Sequence, residues 1–144
     1  MKILVCTDGS EQSQKALEKA SLIAGGCNVD EVAIIHVYEE IPFHEAYSKE
    51  YIARQVKLKE EQKIAGEKIL QNALYFFEKK GINARTIFKE GHPAETIVEV
   101  GCGEEFDFIV IGSRGLGGLK KALLGSVSNA VVQQAEKCSV IVVR

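Results

Sequence analysis

Five short apolar runs rich in β-branched residues punctuate this chain, and the stretches between them carry the helical period of about 3.6 residues. Strands that alternate with helices are joined by crossovers, and crossovers make neighbouring strands parallel. The sequence therefore predicts an α/β fold: an open, twisted, parallel five-stranded sheet with helices on both faces and right-handed connections. Residues 1–144 are expected to form that fold as a single domain, since domains usually run to about 100–200 residues.

Lys2 to Cys6 is the first run, and Thr7-Asp8-Gly9-Ser10 closes it as a loop. Ser10 is placed as the N-cap of a helix whose Ala16, Leu17, Ala20, Ile23 and Ala24 share a face, and Gly25-Gly26 is expected to stop it. Val32 to Tyr38 predicts the second strand, whereas Glu39 to Tyr47, broken by Pro42, has no clear period. From about Ser48 to Lys80 the pattern is helical, with a stripe of Gly66, Ile69, Leu70, Ala73, Leu74 and Phe77 ended by Gly81. Ala84 to Phe88 reads as a strand, and Pro93 suits the first turn of a helix carrying Ala94, Ile97, Val98 and Gly101. Phe106 to Ile111 is nearly continuously apolar, as a central parallel strand covered on both faces must be. A loop over 112–125 with five glycines follows, then a helix over Ser126 to Lys137 and a last strand over Ser139 to Val143. Periodicity leaves strand order open. A doubly wound, Rossmann-like order such as 3-2-1-4-5 would set the first and fourth strands side by side and open a crevice beyond their carboxyl ends, at Thr7–Ser10 and Gly112–Gly125.

Lys and Arg total 18 against 20 Asp and Glu, a formal charge of −2, so there is no global basic field for a nucleic-acid backbone and no nucleic-acid partner is expected. No run approaches the roughly 18 apolar residues of a membrane helix, and Met1 leads straight into Lys2-Ile3-Leu4-Val5. The expectation is a soluble, cytoplasmic protein with no membrane partner. Cys6, Cys27, Cys102 and Cys138 lack CxxC spacing and read as reduced thiols, with Cys6 and Cys138 as small hydrophobes in strand-like runs. His36 and His92 read as hydrogen-bonded core residues, and with His44 they add no metal-ligand spacing.

The chemistry concentrates in the glycine-rich loop. Gly112-Ser113-Arg114-Gly115 leaves the most apolar strand, and Gly125-Ser126-Val127-Ser128 opens the next helix. Residues without a Cβ let a ligand approach main-chain N–H groups, and a helix start adds unpaired donors and about half a positive charge. Ser126 and Ser128 could add hydroxyl donors, while Arg114, Lys120 and Lys121 make the loop locally cationic. Asp8 faces this loop across the expected switch point, where it can either accept from a ligand hydroxyl or cap the first helix. These residues predict a site for a phosphate ligand.

The pattern G-x2-G-x9-G-S, from Gly112 through Gly115 to Gly125-Ser126, resembles the ATP-binding signature of the universal stress protein family. The resemblance extends to Thr7-Asp8-Gly9-Ser10, His36-Val37, Gly91-His92-Pro93-Ala94, Ile109 to Gly115 and Val140 to Val143, leaving only Glu39 to Val56 aside. Where family members often carry proline before this threonine, the chain has Cys6. The resemblance implies the sheet order 3-2-1-4-5 and a homodimer. It implies that the backbone at Val37 reads adenine, that Thr7 and Asp8 lie beside base and ribose, and that Gly112, Arg114 and Gly115 border ribose and α-phosphate. Gly125, Ser126, Val127 and Ser128 would hold the β- and γ-phosphates of ATP (or ADP or AMP), with Mg²⁺ or Mn²⁺ attached mainly to phosphate oxygens and water. At the sheet edge, Ser139 to Val143 would pair with a second copy.

No GxxxxGK[ST] motif is present, so no dedicated phosphoryl-transfer apparatus is expected, no catalytic residue is assigned, and slow hydrolysis is the upper limit. Three readings stay open: a dimeric ATP-dependent regulatory or sensing protein, a weak ATPase or autophosphorylating enzyme with Ser126 or Ser128 as acceptor, and a nucleotide-independent interaction module acting through its dimer and Glu39 to Val56.

Overall fold

The computed structural model describes residues 1–40, 47–114 and 124–144. Strand β1 (Lys2–Cys6) sets the architecture, because Ile3 and Val5 face one side, Leu4 and Cys6 the other, and all four are buried. Such a strand must be interior. It pairs in parallel with β2 (Glu31–Tyr38) and β4 (Phe108–Gly112), with Leu4 opposite Ala33 on one side and Ile109 on the other. β3 (Arg85–Glu90) adds outside β2 and β5 (Ser139–Val143) outside β4, giving the all-parallel order β3-β2-β1-β4-β5. This is the doubly wound order that the family resemblance implies.

Helices α1 (Glu11–Gly26) and α2 (Lys49–Glu78) cover one face, where Leu17, Leu70, Ala73 and Phe77 pack on Ile3, Val5, Ile34 and Val110. Helices α3 (Pro93–Gly103) and α4 (Ser126–Gln134) cover the other, with Ile97, Val100 and Val131 on Leu4, Ile35, Ile109 and Ile111. Each large apolar side chain so buried contributes about 1.5–3 kcal/mol. Among the described residues no helix is long and apolar enough to cross a membrane.

Several ends differ from the sequence expectation, because caps rather than side-chain period decide them. Helix α1 continues through Gly25 and Gly26 to Cys27, whose N–H donates to the Ile23 carbonyl at 3.0 Å. Helix α4 stops at Gln134 instead of Lys137, since Ala135 leaves the helix at ψ 90° to turn toward β5. Phe106 and Asp107 precede β4: Glu105 takes φ 58°, and the Phe106 N–H donates to the Gly101 carbonyl at 2.9 Å, closing α3. Strand β3 runs Arg85–Glu90, where Arg85 donates to Glu31 at 2.6 Å and Glu104 at 2.5 Å, tying β3 to β2 and to the end of α3. That guanidinium holds the Glu31 carboxyl below its ordinary range. Ser48 caps α2 by accepting the Tyr51 N–H at 3.2 Å, while residues 41–46, including Pro42 and His44, lie outside the described residues.

Candidate functional site

Beyond the carboxyl ends of β1 and β4 the chain departs to opposite faces, into α1 from the former and toward α4 from the latter. The two loops cannot cover each other, and a crevice opens between them. It holds a cavity of about 580 Å³, within the usual range for small-molecule sites. Of the residues singled out in the sequence, Thr7, Asp8, Val37, Gly112, Arg114, Gly125, Ser126, Val127 and Ser128 all line it. Gly115 lies outside the described residues.

The β1 side of the crevice is knitted by short-range bonds. Ser10 caps α1 by accepting the Ser13 N–H at 3.1 Å, and Asp8 Oδ1 accepts the Ser10 N–H at 2.9 Å. Asp8 thus turns the chain into α1, whose cap is Ser10, and it also lines the cavity. His36, a buried residue of β2, donates from Nδ1 to the Thr7 carbonyl at 2.8 Å, which fixes that tautomer and tethers the loop. It is the hydrogen-bonded core histidine the apolar strand predicted. His92 is instead exposed, standing at the N-cap of α3 without a side-chain capping bond.

On the β4 side, Ser113 is the junction. Its N–H donates to Val143 at 2.6 Å, and its carbonyl accepts both the Gly125 N–H at 2.7 Å and the Ser128 hydroxyl at 2.8 Å. Two sequence expectations change accordingly. The Gly125 N–H closes the loop onto Ser113, and the Ser128 hydroxyl donates to a carbonyl, so among the described residues of α4 the donors left for an anion are the first-turn N–H groups of Ser126, Val127 and Ser128 and the exposed Ser126 hydroxyl. Gly112 also serves packing: a Cβ there would come within 2.7 Å of the Gln12 carbonyl, so β4 can meet the start of α1 only as glycine. Arg114 carries a buried Nε with no hydrogen-bond partner among the described residues.

The cavity has a wall that the sequence reading missed. Gln62, Ala65, Gly66 and Ile69 of α2 face it, joined by Ser13, Tyr38, Glu39, Pro93 and Ile97. The spacing i, i+3, i+4, i+7 was a legible signal of one helix face, but nothing local said that the face closes a ligand site. Main-chain donors and a guanidinium suit phosphate oxygens, and Val37, Ile35 and Ile69 offer apolar surface for a base. Among the described residues no group of three or more His, Cys, Asp or Glu could hold a metal ion. A divalent cation here would be held mainly through phosphate oxygens; Asp8 and Glu39 are the carboxylates among the residues that line the cavity.

An all-parallel, doubly wound sheet with a crevice at its switch point defines a Rossmann-like class of α/β protein. The chain belongs to the Universal stress protein family, whose sequence profile matches residues 1–144. It is similar to universal stress protein YxiE of Bacillus subtilis, 38% identical over 149 residues that cover 99% of this chain and 98% of that one. Among solved structures it is similar to universal stress protein UspA from Lactobacillus plantarum, with a TM-score of 0.87 and 25% identity across 100% of this chain and 97% of that one. A universal stress protein crystallised in complex with cAMP has a TM-score of 0.72 and 27% identity over 100% of this chain and 97% of its own.

Proposed function

We propose that this chain binds ATP in the switch-point crevice and acts in the cytoplasm as a dimeric, nucleotide-dependent regulatory or sensing protein of the stress response. The observation that carries the reading is the convergence, in one cavity, of the α4 first-turn residues, the Arg114 guanidinium, whose buried Nε has no partner among the described residues, and apolar walls on β2 and α2. Crystallisation of a 27% identical family member with cAMP supports an adenine nucleotide as occupant. In this reading Val37 meets adenine through its backbone, Thr7 and Asp8 lie by base and ribose, and Gly112, Arg114 and Gly115 border ribose and α-phosphate. The β- and γ-phosphates rest on Ser126, Val127 and Ser128, with Gly125 leaving room beside them for want of a Cβ, and Mg²⁺ or Mn²⁺ is held chiefly through those phosphates. No residue is assigned a catalytic role.

Calorimetry and thermal unfolding with magnesium and ATP test the reading. Saturation at about 100 times Kd should add about 2.7 kcal/mol of stability. Gly125 has φ −74° and ψ 165°, angles any residue adopts, so Gly125→Leu should fold normally yet lose the nucleotide-dependent stabilisation. No heat and no protection of the unaltered protein at millimolar ATP would overturn the proposal.

A further inference from the structure

Cys102 stands in the last turn of α3 and Cys138 immediately precedes β5, 36 positions further along the chain. The fold brings their sulfurs to 3.1 Å. That separation is about 1 Å beyond the ~2.05 Å of a disulfide bond, so closing it requires only a small side-chain adjustment. Both residues are partly exposed, and they line a shallow pocket with Asp107, Glu136 and Lys137 at the amino-terminal end of β4 and β5, the end opposite the crevice. The other two thiols are placed differently: Cys6 is buried in β1 and Cys27 is exposed at the end of α1.

We infer that Cys102 and Cys138 form a reversible dithiol–disulfide site, oxidised by hydrogen peroxide and reset by a thiol reductant, independent of nucleotide binding. Burial, and then the neighbouring Cys102 sulfur, pushes the Cys138 thiol up; either sulfur can make the first attack, and with the two exchanged the steps are the same. The Cys102 sulfur, its proton given to water, attacks one peroxide oxygen: an S–O bond forms, the O–O bond breaks, and the leaving hydroxide is protonated to water. The Cys138 sulfur then attacks the Cys102 sulfenic acid, forming S–S and breaking S–O, and the hydroxyl leaves as water with the Cys138 proton. Two thiols lose two electrons and two protons, and the peroxide is reduced to two waters. The product is a covalent loop enclosing β4, the glycine-rich segment and α4. Reversible redox-sensing disulfides of this kind are compatible with a reducing compartment.

Hydrogen peroxide applied to the native reduced protein, followed by intact mass and non-reducing peptide mapping, tests the site. The expected result is a loss of about 2 Da, one cross-linked peptide joining Cys102 to Cys138, and reversal by dithiothreitol. Cys6 and Cys27 should still take alkylating reagent after unfolding, and Tm should rise by about 5–10 °C in the oxidised form. In Cys138→Ser the 2 Da loss should vanish, with Cys102 left carrying oxygen adducts of about 16 Da each. A wild-type protein that gains only such adducts, forms its bond through Cys27 or between chains, or stays fully reduced would overturn the inference. None of these readouts depends on a bound nucleotide.

Discussion

His36 does at residue scale what the glycine signature cannot do alone: it holds the Thr7–Ser10 loop against the sheet through a single 2.8 Å bond to the Thr7 carbonyl. Its ring also stacks on Phe88 at 5.8 Å between centroids, so its bulk and its hydrogen bond can be separated by substitution. His36→Phe keeps most of the volume but leaves the Thr7 carbonyl without its donor, and should cost about 1–3 kcal/mol in urea unfolding. Unaltered stability would exclude the tether. The role was legible, since a histidine inside an apolar strand needs an internal partner, but its identity was not. Thr7 lies 29 positions away, and only the parallel pairing of β1 with β2 makes them neighbours. Cysteines show the same limit. Cys6 is the small hydrophobe its strand suggested, with burial holding its thiol well above the ordinary range. Cys138 also packs against the core as a small hydrophobe, and its sulfur lies in addition 3.1 Å from that of Cys102, a pairing that no spacing motif announces.

Among the elements, α2 carries the largest difference between what was expected and what it does. Its stripe and its stop were legible: Gly66, Leu70, Ala73 and Phe77 are buried, and Gly81, at φ 70°, ends the helix as the Ile82 N–H returns to the Phe77 carbonyl at 3.1 Å. Its second function, as a wall of the crevice, depends on how closely it can lie on the sheet. A Cβ at Gly66 would come within 2.7 Å of both His36 Cδ2 and the Phe88 ring, so the glycine sets that distance. Gly66→Leu should therefore destabilise by about 1–3 kcal/mol through overpacking, despite the better helix propensity of leucine, with chemical denaturation as the check. If stability is unchanged, α2 must be free to ride away from β2 and β3. The shortened α4 and the late start of β4 have a related cause. Both ends are set by backbone geometry, the ψ of 90° at Ala135 and the positive φ of Glu105, and apolar period carries no record of either.

For the whole molecule, the strand order leaves β5 at an edge with Val140, Ile141 and Val142 only half-buried. An apolar parallel strand in that position exposes unpaired N–H and C=O groups, which a twofold partner would satisfy. A homodimer through Ser139 to Val143 should therefore appear by sedimentation at micromolar concentration, and Ile141→Lys should shift it to monomer. A monomeric unaltered protein would reject that interface. Read alone, the sequence determined the element types, the two-sided burial of the central strands and the residues of the glycine signature, because hydrophobic period and turn chemistry act over a few neighbouring positions. Tertiary structure alone decided that Ser113 ties β4, α4 and β5 together, that α2 closes the crevice, and that two distant thiols meet behind it. Those contacts depend on crossovers and strand register, which bring together residues separated by tens of positions and leave no periodic trace in the chain.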